Sequence, residues 1–198
     1  MILWAGETRG PKIAPGNYQV KLTVDGKSQT RTLTIKMDPR VKSGPDVLTQ
    51  QFNLSIAAYQ GMAQSFAAAQ TAQRVRDQIK STIDRVGSGP LAESLAALDK
   101  KIVAISGEAR GDASSPGLPG GTIDLRNVNL TRVNDGFSSL LENLQSADVT
   151  PTTATLLAAE EMQKVLVKLQ RDWDQIVSQE IPQINNQLRT ANQSPLTP

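Results

Sequence analysis

Two periodicities divide the sequence. Between residues 18 and 37, apolar and polar positions alternate. Tyr18, Val20, Leu22 and Val24 interleave with Gln19, Lys21 and Thr23, and Arg31, Leu33, Ile35 and Met37 stand opposite Thr32, Thr34 and Lys36. Asp25-Gly26-Lys27 separates the two runs, with Pro15-Gly16 before them and Asp38-Pro39 after. Period two on both sides of an Asp-Gly turn predicts a β-hairpin. Its apolar face would be Tyr18, Val20, Leu22, Leu33 and Ile35. A two-stranded hairpin leaves such a face open unless further strands or a helix cover it. Ile2, Leu3 and Trp4 offer one short extra strand, and even then the sheet is unfinished.

From residue 44 the apolar spacing becomes three and four, the signature of amphipathic helices. A first helix begins at Pro45-Asp46 and carries Leu48, Phe52, Ile56, Tyr59, Ala63, Phe66, Ala72, Val75, Ile79, Ile83 and Val86, up to Gly87-Ser88-Gly89-Pro90. A second carries Leu91, Leu95, Leu98, Ile102 and Ile105, and Gly107 and Gly111 end it. A loop rich in Gly and Pro is expected over 110–122. A third helix carries Leu130, Val133, Phe137, Leu140 and Leu144. The fourth starts near Thr150-Pro151 and carries Leu156, Met162, Leu166, Leu169, Trp173 and Ile176. Pro182 bends or restarts it, and Ile181, Ile184 and Leu188 extend its stripe. The expected fold is mainly α: a four-helix antiparallel bundle over 44–198, preceded over 1–43 by a hairpin or partial sheet.

Charge follows the same division. Residues 1–43 hold eight Lys/Arg and three Asp/Glu, a charge of +5, whereas 44–198 sum to −3. The 198 residues include no histidine and no cysteine. Ser-His-Asp and Cys-His catalysis, a thiolate nucleophile, a typical zinc site and a histidine switch are therefore excluded. Carboxylate, Lys, Ser/Thr or Tyr chemistry and oxygen-ligated calcium are not. No stretch reaches the roughly 20 apolar residues of a membrane span. Met1-Ile2-Leu3-Trp4-Ala5 lacks the basic leader and apolar run of a signal peptide.

Each candidate for chemistry has a plainer reading. The Gly-rich segment 116–121 lacks the Gly-Lys-Ser/Thr ending of a phosphate-binding loop and reads as a connection. The acidic pairs Glu160-Glu161 and Asp172/Asp174 lie amid polar residues. Neighbouring Glu160 and Glu161 diverge by about 100° on a helix, whereas acid/base hydrolysis needs two facing carboxyls. The basic residues Arg9, Lys12, Lys21, Lys27, Arg31, Lys36, Arg40 and Lys42 suit an anionic polymer. They also suit a strand surface guarded against edge-to-edge pairing, and with Tyr18 as the lone nearby stacking partner no nucleic-acid binding is expected. Trp173 fits a core anchor, and Ala67-Ala68-Ala69 allows close helix approach. The sequons Asn53-Leu54-Ser55 and Asn129-Leu130-Thr131 fall in expected helices and read as chance matches. No catalytic, cofactor-binding or metal-ligating residue is assigned.

The run from Ala14 to Lys27 (APGNYQVKLTVDGK) and the run from Leu33 to Arg40 (LTIKMDPR) together resemble the last hairpin of an Ig-like module. That module lies near the C-terminus of large bacterial proteins with sortilin-type, BNR-repeat β-propellers, often labelled glycosyl hydrolases. The helical part is similar as well: Gln51-Phe52, the Gly-rich interruption, Ala147-Asp148-Val149-Thr150-Pro151, Trp173 and Ile181-Pro182-Gln183-Ile184-Asn185 follow in the same order. The resemblance spans nearly all of this chain but only the tail of the family's full-length form, without the propeller. It implies an exported protein, periplasmic or extracellular. It carries no catalytic residue onto these positions, since function belongs to sites and not to neighbouring modules. The expectation is a non-catalytic accessory module that packs or associates through the hairpin. The alternatives are a component of a carbohydrate-active hydrolase and a module that binds a surface polymer.

Overall fold

The computed structural model describes residues 10–108 and 128–198. The element order is β1 (Gly16–Val24), β2 (Lys27–Ile35), α1 (Pro45–Val86), α2 (Pro90–Ser106), α3 (Leu130–Ser146), α4 (Thr153–Gln175), a π-helical turn (Ile176–Glu180) and α5 (Ile181–Thr190). The fold is mainly helical, with the four expected helices and a two-stranded antiparallel sheet. The expected loop 110–122, the Gly-rich run 116–121, Arg9 and the strand offered by Ile2, Leu3 and Trp4 lie outside the described residues.

The hairpin forms as its pattern dictates. Asp25 (φ 49°) and Gly26 (φ 76°) both adopt left-handed backbone, the geometry of a type I′ turn, whose twist matches that of the strands. Val24 pairs with Lys27 next to the turn, and the register runs through Val20↔Arg31 and Tyr18↔Leu33 to Gly16↔Ile35. On the opposite face, the Thr23 and Ser28 hydroxyls meet at 2.8 Å and Thr34 donates to Asn17 Oδ1 at 2.7 Å.

The 42-residue α1 is a rod of roughly 60 Å and the spine of the molecule. After the turn at Gly87–Gly89, α2 runs back along its second half. There Ala72, Val75 and Ile79 share a core with Leu95, Leu98 and Ile102. The α3 helix continues antiparallel along the first half, from Asn134, which donates to Met62 O at 2.8 Å, down to Ala147, whose carbonyl accepts from Gln51 Nε2 at 2.6 Å. Thus α2 and α3 follow one another end to end beside α1. They are joined where Thr131 Oγ1 donates to Ser106 O at 2.8 Å. The Asn129 carboxamide caps α3 by accepting from Arg132 N at 3.0 Å, so this sequon asparagine sits at a helix start and not inside a helix.

The α4 helix and its continuation run the length of the assembly, from Met162, Leu166 and Leu169 in the α3 core to Trp173, Ile176, Ile181, Ile184 and Leu188 in the α2 core. Pro182 has no N–H and would strike the carbonyl of Ser178 in a regular α-helix. The chain widens into a π-turn just before it, where Ile181 N reaches back to Ile176 O. The sequence expectation of a bend or restart at Pro182 is realised by this widening. At the end of α5, Asn192 is left-handed (φ 55°), Asn192 N bonds Arg189 O at 3.1 Å and Gln193 N bonds Leu188 O at 2.8 Å, which makes a Schellman cap.

One expectation is corrected. The stripe Phe52, Ile56, Tyr59, Ala63 and Phe66 does not form the core of α1's first half: Tyr59, Ala63 and Phe66 are exposed and the other two only half-buried. Leu48 is buried as expected, and after it the buried residues are Ser55, Ala58, Gly61 and Ser65. The reason is the proximity of α3. A β-carbon on Gly61 would lie 2.5 Å from Cε2 of Phe137, so only a residue without a side chain admits the ring. Ser65 returns its hydroxyl to Gly61 O at 2.8 Å, which satisfies a polar group in this tight seam.

Candidate functional site

Of the exposed large apolar side chains among the described residues, Val20, Leu22, Val24 and Leu33 gather on the hairpin, whereas Tyr59, Phe66, Val149, Leu157 and Val167 are scattered over the helical part. The base of the hairpin is anchored. Lys12 donates from its backbone N to Gln145 Oε1 and from Nζ to Gln145 O, both at 2.7 Å, and Ser43 donates to Asp148 O at 2.6 Å. A cleft of about 210 Å³ there brings Ile35 and Met37 beside Leu48, Phe52 and Leu144. Gln51 also bonds Leu144 O, fastening the end of α3 to the start of α1.

Beyond the base, the blade is open. Val20, Val24 and Leu33 are about half exposed and Leu22 is 65 % exposed. Tyr18 and Ile35 are half-buried, and the Tyr18 hydroxyl donates to Ala14 O at 2.6 Å, closing the ring over Gly16. Beyond its base, where Ile35 meets the bundle, the blade does not cover the helices among the described residues, and its apolar face is left open. The face is also mixed: Arg31 stands across from Val20 and Gln29 across from Leu22. With a two-residue turn, the closing pair and every second pair after it exchange both backbone hydrogen bonds. The outward N–H and C=O groups therefore belong to Asn17, Gln19, Lys21 and Thr23 on one edge and to Ser28, Thr30, Thr32 and Thr34 on the other. Among the described residues neither edge is paired.

The acidic candidates are drawn into ion pairs on the outside of α4. Lys164 Nζ lies 2.8 Å from Glu160 and 2.9 Å from Glu161, and Lys168 Nζ lies 2.6 Å from Asp172. The hydrogen bond from Lys164 holds the Glu160 carboxyl below its ordinary pKa, and Lys164 is raised by its bonds to both glutamates. Asp174 is exposed, and its backbone carbonyl accepts from Ser178 Oγ at 2.7 Å. Among the described residues no three acidic side chains converge as a metal site would require.

The basic residues disperse. Arg40 folds onto Asp38, with Nη2 2.6 Å from Oδ2, and this bond lowers the Asp38 pKa and raises that of Arg40. Lys21, Lys27, Arg31, Lys36 and Lys42 are exposed along the hairpin and its exit. Trp173 is buried in the α2 core, as its spacing predicts. Asn53 is exposed on α1.

Two features had no forewarning in the periodicity. A cleft of about 360 Å³ opens at the α2–α3 junction, lined by Phe66, Ala69, Leu130 and Asn134 among others. Its one large exposed apolar side chain, Phe66, was expected in the core. The other feature is the segment after α5, which returns to the bundle and buries Leu196. No helix among the described residues is long and apolar enough to cross a membrane. Searches against family models, curated proteins and solved structures find no match to this chain.

Proposed function

We propose that the chain is a non-catalytic accessory module that associates through its hairpin, as part of a larger exported β-propeller protein of the kind its sequence resembles. The observation that carries this reading is the open blade: Val20, Leu22 and Leu33 unprotected on a sheet of two strands whose edges are unpaired among the described residues. Exposed apolar surface beside free backbone donors and acceptors suits the addition of a strand. The β2 edge, with its outward groups on Ser28, Thr30, Thr32 and Thr34, carries no lysine or proline at those positions, whereas β1 has Lys21 at one of its own. The favoured partner is therefore a strand that extends the sheet from β2 and lays alternate apolar residues beside Leu33.

The pairing of Glu160 and Glu161 with one lysine, rather than across a cleft, favours this reading over a hydrolase. The test is gel filtration with light scattering over a range of concentrations, with a hydrophobic dye as a probe of the blade. Dye binding or association that disappears in the Val20→Lys/Leu33→Lys double variant, with helical circular dichroism unchanged, is the expected result. A chain that neither associates nor binds dye, and that is indifferent to both substitutions, would refute the proposal. Retention on an anionic polysaccharide that survives high salt would instead favour the polymer-binding alternative.

A further inference from the structure

The segment after α5 is held in a manner distinct from the rest of the fold. Gln78 on α1 and Asn185 on α5 reach towards each other across a groove, and residues 193–198 run between them. Asn185 Oδ1 accepts from Leu196 N at 2.7 Å, and its Nδ2 donates to Leu196 O at 3.0 Å. Gln78 does the same one residue later, accepting from Thr197 N at 2.8 Å and donating to Thr197 O at 2.8 Å. Each side-chain amide thus takes the place of a neighbouring strand, reading the N–H and C=O of one residue. Between the two, Leu196 inserts into the α2 core and is only 2 % exposed. The other residues of the segment stay at least partly exposed.

These contacts read backbone, the Leu196 side chain and, at 3.4 Å, the Thr197 hydroxyl, which donates to Gln78 Oε1, and none depends on the segment being covalently joined to α5. Pro195 and Pro198 flank the contact residues. Each biases the residue before it towards extended backbone, so the segment forfeits little freedom when it docks. The Schellman cap at Asn192 ends α5 and turns the chain towards the groove, leaving no regular structure to hold the segment except the two amides and the leucine socket.

We propose that the groove between α1 and α5 is a peptide-docking site for an extended segment with a leucine one residue after a proline and two before another, Pro-Leu-x-Pro. This chain fills the site with its own residues 195–198, and a partner segment of the same chemistry displaces them. The proposal is independent of the hairpin reading. A segment tethered this closely acts as a built-in competitor at an effective concentration in the millimolar range. A free peptide therefore has to outcompete it or find it displaced.

The experiment uses the full chain carrying Leu196→Asp, whose carboxylate does not suit the apolar socket, and a fluorescent, end-capped peptide of sequence Gln-Ser-Pro-Leu-Thr-Pro. Fluorescence anisotropy should show saturable binding to this variant at least about tenfold tighter than to the unaltered chain, as expected when a millimolar competitor is removed. Binding should be lost when the peptide's leucine becomes aspartate or when Asn185→Leu is added to the protein. A folded Leu196→Asp chain that does not bind the peptide, or binds its aspartate version equally well, overturns the proposal. If the variant loses its helical circular dichroism, the unaltered chain decides by hydrogen exchange. Excess peptide should accelerate exchange of the Leu196 and Thr197 amides, and unchanged protection at 10-fold the tethered segment's roughly millimolar effective concentration overturns the proposal.

Discussion

Gly61→Ala is the sharpest test of the seam between α1 and α3, because two effects of opposite sign meet at that residue. In an exposed helix the substitution stabilises by about 1 kcal/mol, since alanine is the better helix former. Here the added methyl would lie 2.5, 2.6 and 2.7 Å from three atoms of the Phe137 ring, against ordinary carbon contacts of about 3.5–4.0 Å. Relief requires the ring or the helix to retreat by about 1 Å. Phe137 is only 2 % exposed, among Leu130, Val133, Leu140 and Leu141 on α3, so the ring has no free space to turn into. Overpacking of this kind costs about 1–3 kcal/mol, and more where neighbours cannot yield. We expect the clash to win, with a net loss of about 1–2 kcal/mol and a fall in Tm of about 2–8 °C for a chain of this size. Thermal and urea unfolding followed by circular dichroism measure it. Phe137→Leu removes the struck atoms, so the double variant should lose less stability than the two single losses together. A Tm that rises in Gly61→Ala would mean that the two helices do not approach closely there.

Two further outcomes are expected. Asn129→Ala removes the oxygen that accepts from Arg132 N and should cost about 1 kcal/mol in unfolding free energy, while Asn129→Asp, which keeps an acceptor, should cost less. On α4, the Glu160 pKa is lowered in the folded chain by the Lys164 hydrogen bond, so the pair stabilises above the unfolded glutamate value of about 4.3. That contribution disappears as pH falls through the lowered value. In an NMR titration, Lys164→Ala should move the Glu160 midpoint upward and added salt should narrow the difference. An unmoved midpoint would show that the ion pair does not persist in solution.

The parts of the fold that were legible in the sequence are those whose cores are built from large side chains. The α3 stripe Leu130, Val133, Phe137, Leu140 and Leu144 is buried throughout, and the Leu95, Leu98 and Ile102 stripe of α2 lies in the other core. Trp173 followed from its neighbours, and Asp25-Gly26 gave away the hairpin. Beyond Leu48, which is buried as its place in the stripe predicts, the first half of α1 misled because its inner face is Ser55, Ala58, Gly61 and Ser65, residues that carry almost no hydrophobic signal. Their virtue is smallness, and smallness matters only once Phe137 is known to press against them. The Gln78–Asn185 clamp was hidden for a related reason. It joins residues more than a hundred positions apart, and an isolated amide on a helix is indistinguishable from a solvated one. The open blade was partly legible: the alternation showed an apolar face, but not that the base alone would touch the bundle.

The division of the second helical column at the α2–α3 junction separates the interior into two cores, with Ile105 packed against both. Among the described residues only α1 and the α4–α5 column span that division. They are the members common to both cores, and Gln51 ties α1 to the end of α3, where Lys12 and Ser43 fasten the blade, so the hairpin end and the far core share one continuous helix. The groove that holds Leu196 lies between the distant ends of α1 and the α4–α5 column. The geometry of that groove is therefore set by how two helices of about 60 Å keep their spacing, and the regular helical hydrogen bonding of the α4–α5 column changes at the π-turn before Pro182.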